Sequence, residues 1–491
     1  MQFPSIHFYK TIFNGNINFF YSKLYQANFE NIDLQGNTYN IFAYCSLEKV
    51  KFHNVIFRGN IQFDHSEMKD VSFKNCTFKG KTDFRDVSFK GKSEFLNCTF
   101  DSSENHTIKK VNFSGCTFEQ EANFSGSIFN LKADFSKTIF GTKKENNNSY
   151  EGSSEVKFLI ENAKFQKEVD FSKAIFYDAI YFSGTEFYTD TKVYKEESIN
   201  FKNAQFKKKV RFHRCKFHNT VHFENTSFNK LVDFYCAHFY KPQQFHFTDF
   251  LDRAIFSNTE FNEEVQFLHC KVDNSYVRFE SATFKKGLDI SRSNFNDKVN
   301  FWNIEIEESG EQYIFNNLKS VKYVNDFEVQ DKTPTIYKQF RETYRIIKSN
   351  FYSQNNKIEA LEFSKREMLV YERELKSVSS KSNNNKLLLL ANKISNNFGT
   401  NWLRGILFTA SAGIITLSFF SYNLKFSLTS AGVSNFLKSL VDILNLTDWN
   451  EMTIFGEKLT NWQYIFLFIG RIFVAYGVYQ TVQAFRKFGK S

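Results

Sequence analysis

Seven cysteines, ten histidines and one arginine inside an apolar run are the side chains of this 491-residue sequence best placed to do chemistry. Thiolates attack electrophiles and bind soft metals, and imidazoles bind metals or move protons. A guanidinium in an apolar segment holds an anion or lines a polar path. The cysteines contain no Cys-x-x-Cys pair, which leaves the tetrahedral zinc pattern unsupported. Cys76, Cys98, Cys116, Cys215 and Cys270 each stand two residues before a large apolar one, as does Cys45 before Leu47; Cys236 is out of phase. That placement predicts small, inward, reduced thiols with a structural role, suited to a cytosolic compartment. No G-x-S-x-G, phosphate loop, dinucleotide fingerprint or HExxH occurs. The expectation is a protein with no catalytic residue, cofactor or metal, and not an enzyme.

The elements that position these residues are legible in the phenylalanines, 63 of 491 against 3 Pro and 4 Trp. Such a chain is too aromatic for disorder, too poor in Gly and Pro for collagen, and too poor in Cys for a disulfide scaffold. Phe73, Phe78, Phe84, Phe89, Phe95 and Phe100 step by five and six in turn. The alternation returns at Phe113–Phe140, with Phe124 and Phe135 among its members, and again at Phe201–Phe239, with Phe212, Phe223 and Phe234. Leu24, Leu34, Met68, Ile290 and Ile306 fill the slot elsewhere, so the period covers residues 3–306. Neither a helix nor a strand repeats at five and six. A solenoid does, turning a corner after each large inward residue. Small residues stand two before the aromatics, at Ala122, Ala133, Val169, Ala174, Ala204 and Val210.

The units ANFSG (122–126), ADFSK (133–137) and VDFSK (169–173, around Phe171) resemble the pentapeptide-repeat family in a Phe-rich variant. The resemblance implies a mainly β fold: a right-handed quadrilateral β-helix with Phe stacked along its axis. Four sides make a coil of about 22 residues, giving roughly 12–13 coils and a rod of about 60 Å at ~4.8 Å per strand. Some relatives are thought to mimic DNA and bind topoisomerase. That needs an acidic rod, whereas residues 1–306 hold 40 Lys+Arg against 37 Asp+Glu. Nucleic acid is likewise not expected on KKKVRFHRCK (207–216), which carries no interleaved aromatic readout, its Phe212 belonging to the repeat, and reads as one solvated face. The loose cluster His213, His218, His222, His238, His246 and His269 fails as a metal site. Twenty-two residues beyond His213, His218 and His222 stand Tyr235, Tyr240 and Gln244. Three polar breaks, near 101–110, 141–156 and 188–199, read as insertions at coil corners, either surface drift or partner-binding loops on one face.

Near residue 307 the pattern stops. Residues 335–349 place Tyr337, Phe340, Tyr344 and Ile347 on one helical stripe after Pro334, and 357–377 reads as a second helix on Ile358, Leu361, Met368 and Leu375. The pair is expected to cap the rod within 307–378, followed by a polar linker at 379–392 and a membrane domain at 393–491. Spans are expected near 403–423 and 462–484, anchored at the interface by Trp402, Arg404, Trp462, Arg486 and Lys487. Basic flanks place both termini and the rod in the cytoplasm, in keeping with repeats that begin at once without a signal peptide.

The stretches 340–368, NNFGTNWLRG (396–405) and YQTVQAFRKFGK (479–490) resemble the tail of bacterial membrane-anchored pentapeptide-repeat proteins. The resemblance implies a bacterial cytoplasmic-membrane protein. Some relatives carry a potassium-channel filter, Thr-x-Gly-Tyr-Gly, that has no counterpart here. Arg471 is the sharpest residue, because a mid-span arginine costs about 2.5–3.5 kcal/mol unless it faces an interior or water. One reading makes Arg471 the ring of an oligomeric pore, with Gly470 and Gly477 permitting close approach. The other has it snorkel, or pair with Asp442 or a lipid phosphate. The amphipathic stretch 434–446 lies on the outer interface or re-enters. Two functions follow. One is a membrane-tethered scaffold whose rod binds an unidentified protein; the other is an oligomeric pore or membrane-disrupting effector governed by the rod, in the manner of a defence protein.

Overall fold

The computed structural model describes residues 1–36, 39–101, 110–143, 157–188, 199–272, 276–295, 299–307, 333–377, 383–421, 430–447, 453–455 and 457–486. It divides into two compact units, Met1–Val329 and Gln330–Ser491.

The first unit is a parallel β-solenoid of about 12 turns. Four faces follow one another around each coil, beginning for example with Gln2–Phe3, Ile6–Tyr9, Ile12–Phe13 and, one coil on, Tyr39–Ile41. Faces one and four are each an 11-stranded parallel ladder. Faces two and three are two further ladders, joined where Ala27–Leu34 and Val50–Phe57 run unbroken around their shared corner. Most inward Phe rings stack on their equivalents one coil away; Phe158, in register with Ala122 and Ile180, meets Phe140 edge-on instead. Phe52, Phe73 and Phe95 lie 4.7 and 4.9 Å apart and within 9° of parallel. Neighbouring columns meet edge-on, as Phe84 meets Phe95 at 5.4 Å and 89°. Offset stacks along the axis and T-contacts across it are the two arrangements that the ring quadrupole favours. Leu24, Leu34, Met68, Ile290 and Ile306 occupy the same columns and are buried.

Two opposite corners are tight turns with a left-handed residue in almost every coil. Between faces two and three stand Asn31, Asn54, Asn75 and Asn97, with φ of 52–55°. Asparagine tolerates this region better than most residues. The Asn31, Asn54 and Asn75 amides also hydrogen-bond in a ladder at 3.0 and 3.1 Å. Between faces four and one the corner residues include Tyr21, Tyr44 and His65. The residue after each turn points inward and ties the corner to the coil below, as Thr138 Oγ1 does by donating to the Phe113 carbonyl at 2.9 Å.

The three insertions fall on the other two corners. Residues 102–109 and 189–198 lie outside the described residues, and so do 144–156. The chain leaves face three at Phe100 and at Phe187 and resumes on face four at Lys110 and Ile199. It leaves face one at Phe140 and resumes on face two at Lys157. Register is kept across every break: Phe100 pairs with Phe129, and Phe129 with Phe165. The breaks therefore mark two opposite corners rather than one face, because the tied corners have an inward donor that an insertion would unpair.

Six helices lie in the second unit among the described residues. Helix α1 (Thr333–Ser353) buries the expected stripe Tyr337, Phe340, Tyr344 and Ile347, with Phe351 added. Helix α2 (Lys357–Ser377) packs on it through Ala360, Phe363, Val370 and the stems of Glu367 and Glu374. The face differs from the expected one, and Ile358 is exposed. Phe363 packs on the Tyr344 and Phe351 rings of α1 at 6.0 and 5.7 Å, and two ion pairs flank this apolar contact: Lys348 Nζ meets Glu367 at 2.5 Å and Arg341 meets Glu374 at 2.8 Å. Residues read as linker form helix α3 (Asn383–Asn396) instead. Helices α4 (Trp402–Ser421) and α6 (Asn461–Phe485) are the two long apolar helices, with α5 (Ser430–Leu444) between them.

Candidate functional site

The rod's reactive side chains are built into its walls. Six cysteines are buried and only Cys236 is partly exposed. Cys116 and Cys215 donate S–H to the Phe84 and Phe182 carbonyls one coil below, both at 2.9 Å, in the position that Thr138 and Thr226 fill elsewhere. Cys236 is out of phase because it is itself a left-handed corner residue, φ 54°. Burial pushes the Cys116 and Cys215 thiols far above their ordinary value and Cys270 up to about 12. A folded value above the unfolded one means stability that is complete below about pH 9 and is lost as pH rises toward 12. In native protein one thiol, Cys236, should therefore react promptly with an aromatic disulfide reagent at pH 8, and Cys236→Ser should abolish the fast phase. Fast reaction of several thiols would contradict the walled-in placement.

Of the six clustered histidines only His246 and His269 come together, with ring centroids 6.1 Å apart, Phe247 lying against both rings. His222 pairs in register with Gln244, and His218 stacks on Tyr240 at 4.6 Å and 3°. His213 meets the Asp233 carboxylate at 2.6 Å. Among the described residues no group of three or more His, Cys, Asp or Glu is placed to hold a metal ion.

The other candidate residues lie in the helical hairpin. Contacts between α4 and α6 run antiparallel through three glycine–threonine pairs: Gly405 with Thr481, Gly477 with Thr409, and Gly470 with Thr416. A Cβ at Gly470 would stand 2.3 Å from Thr416 Oγ1, and one at Gly477 would stand 2.4 Å from Thr409 Oγ1. The three threonine hydroxyls donate to the carbonyl four residues back at 2.7–2.8 Å, so no polar group is stranded in the seam. Gly470 and Gly477 thus serve approach within one chain, where the sequence pointed to contacts between copies.

Arg471 is only 2% exposed, and its Nη2 donates to the Asp442 carbonyl at 2.8 Å. Asp442 lies in the last turn of α5, whose terminal carbonyls have no partner within the helix and carry the negative end of its dipole. Arg471 therefore caps α5 and holds it against the hairpin, through a backbone oxygen and not the carboxylate. Around it Leu417, Phe420, Ile443, Ile454, Leu467 and Val474 form a small core.

Toward the other end of the hairpin, α3 is bolted to α6 by a network the sequence did not announce. Asn392 Oδ1 accepts from Tyr476 Oη at 2.7 Å and from Gln480 Nε2 at 2.9 Å. Asn396 Nδ2 donates to the Gln480 carbonyl at 3.0 Å, and its Oδ1 accepts from Gly399 N at 2.8 Å. Asn396 and Gln480 fall within the stretches that carried the family resemblance, and that was the one signal pointing to them. Trp402 stacks on Phe485 at 5.2 Å, and Arg404, Trp462 and Arg486 are exposed. Lys487 lies outside the described residues.

Residues 63–103 and 108–142 match the family model described as Pentapeptide repeats (9 copies). No curated protein matches the chain. The repeat match, the β-solenoid and the two apolar helices fit a pentapeptide-repeat protein with a membrane region. A solenoid of this kind is a scaffold type of fold, not typically catalytic.

Proposed function

We propose that this chain is a non-enzymatic, membrane-anchored scaffold whose β-helix binds a protein partner or senses its state while the helical hairpin ties it to the bilayer. The observation that carries the reading is the apolar surface of α4 and α6. Both helices are long enough to cross a membrane, yet only 28% and 33% of their apolar stretches is buried. Ile415, Phe473 and Val482 are among the side chains left in the open. Such a surface belongs in lipid. Arg404 and Arg486 at one end of the hairpin support a cytoplasmic rod. The pore reading has less support, because Arg471 is spent inside one chain on the end of α5. Assembly of several copies remains part of the proposal only through the exposed faces of the helices.

The test is alkaline carbonate extraction of bacterial membranes carrying the full chain, followed by labelling of Cys236 with a membrane-impermeant maleimide. The chain should stay in the pellet and be labelled only after permeabilisation. Recovery in the carbonate supernatant would overturn the anchor, and labelling in intact spheroplasts would overturn the sidedness.

A further inference from the structure

Along the outer side of α4 runs a groove of 740 Å³. We propose that it holds one acyl chain of an anionic phospholipid whose phosphate is taken by Arg404. This rests on the membrane reading above. The floor is Arg404, Leu407, Phe408, Ser411, Ala412 and Ile415, spaced by three, one, three, one and three so that all lie on one helix face. Ser411 and Ala412 are the small residues in the middle, and they hollow the stripe between the larger side chains. Ile394 of α3 and Phe473 of α6 supply the walls. Thr416 closes the far end with its hydroxyl already donated to the Ala412 carbonyl at 2.7 Å, so the lining presents no unmet donor there.

Charge and length both select the occupant. Arg404 is exposed at one end; its backbone N–H donates to Asn401 Oδ1 at 3.0 Å, and among the described residues its guanidinium makes no hydrogen bond or ion pair. Its neighbour in this region, Lys393, is already paired with Glu372 at 2.8 Å. The groove contains no carboxylate. From Arg404 to Ile415 the helix rises about 17 Å at 1.5 Å per residue. Half of a hydrocarbon core of roughly 30 Å is about 15 Å. A single leaflet's acyl chain therefore fits the apolar length, with the cation at headgroup level, where a phosphate lies. A choline or ethanolamine headgroup carries a compensating ammonium, which Arg404 repels, so an anionic headgroup is preferred. The bolting of α3 through Asn392 and Asn396 keeps Ile394 in place as the wall on the arginine side.

The experiment uses the full chain reconstituted in nanodiscs of phosphatidylcholine with a minority of phosphatidylglycerol, released gently and weighed by native mass spectrometry. A basic side chain near an anionic surface contributes about 1 kcal/mol, which converts to about fivefold enrichment of phosphatidylglycerol among retained lipids. Arg404→Gln should return the ratio to that of the bulk. Ser411→Phe, which fills the groove and keeps the arginine, should do the same. Retention in the bulk ratio by the unaltered chain would overturn the proposal, and so would undiminished enrichment in Ser411→Phe, the mark of surface attraction alone. A lipid-free dimer closed over the groove would overturn it as well. Loss of the chain from carbonate-washed membranes would sink the membrane reading itself. A chain that stays in the pellet without enrichment sinks only the lipid site.

Discussion

Phe113→Ala is expected to destabilise the rod by about 3–5 kcal/mol, the usual cost of emptying a fully buried aromatic site. Phe113 has no exposed surface. Its ring is stacked between Phe84 at 4.7 Å and Phe135 at 4.9 Å, and it meets the edges of Phe95 and Phe124 at 5.4 and 5.5 Å. Collapse cannot refill the space, because every surrounding ring is held in a column by backbone ladders above and below. In a stacked array each coil leans only on its neighbours, so the loss should appear as earlier melting of the rod and not as a uniform weakening of the chain. Urea unfolding followed by far-UV circular dichroism measures it. Trp302→Ala is the control: that aromatic is 57% exposed, and its loss should shift stability by no more than about 0.5 kcal/mol. Equal shifts in the two variants would contradict the column picture.

The second large effect concerns the hairpin. Gly470→Leu is expected to separate α4 from α6, because even its Cβ would press on Thr416, 2.3 Å from Oγ1 and 2.9 Å from Cβ. Overpacking in a well-filled seam typically costs 1–3 kcal/mol, and a leucine brings three further carbons to a site with room for none. The readout is a cysteine pair outside the glycine seam, Trp402→Cys with Phe485→Cys, in a Cys236→Ser background. The side chains at these positions stack at 5.2 Å within one chain. A short bismaleimide should give a cross-linked monomer that migrates faster than the untreated one, and adding Gly470→Leu should suppress the cross-link. Cross-linked dimers in place of the monomer would show that the glycine seam joins two copies, and would revive the pore reading that Arg471 first prompted.

Several features were legible from spacing alone. The alternation of five and six named the columns before any coordinate did, and even the substitutes Met68 and Ile290 fell in place. Cys116 and Cys215 were readable as small inward residues for the same reason. The 22-residue spacing places Tyr240 over His218, and the two rings do stack, but it misses the approach of His246 to His269 at 6.1 Å, whose spacing is 23 residues. Less was legible in the helical unit. The apolar lengths of α4 and α6 were plain, but residues 383–392, the larger part of α3, read as linker because their run of leucines follows Ser- and Asn-rich sequence. Leu387, Leu388 and Leu390 remain exposed, so the helix shows no single buried stripe. The buried face of α2 is the one that carries Ala360, Phe363 and Val370, because Phe363 finds the Tyr344 and Phe351 rings of α1, a partner that the aliphatic spacing within α2 does not reveal.

The difference has one physical cause. In the rod, each residue's decisive neighbour is its own equivalent one coil away, so a local repeat already contains the tertiary contact. The sequence therefore determined by itself the solenoid, its cross-section, the inward columns that most of the rod's Phe residues fill and the burial of six thiols, while Phe20 and Phe247 lie exposed outside those columns. In the helical unit the decisive partners are unlike and distant: Asn392 finds Tyr476 and Gln480 across 84 and 88 residues, and Arg471 finds the end of α5. No period announces such pairs. Only the tertiary structure decided that Gly470 and Gly477 close a seam within one chain, that Arg471 caps a helix, and that Arg404 stands at the head of an apolar groove.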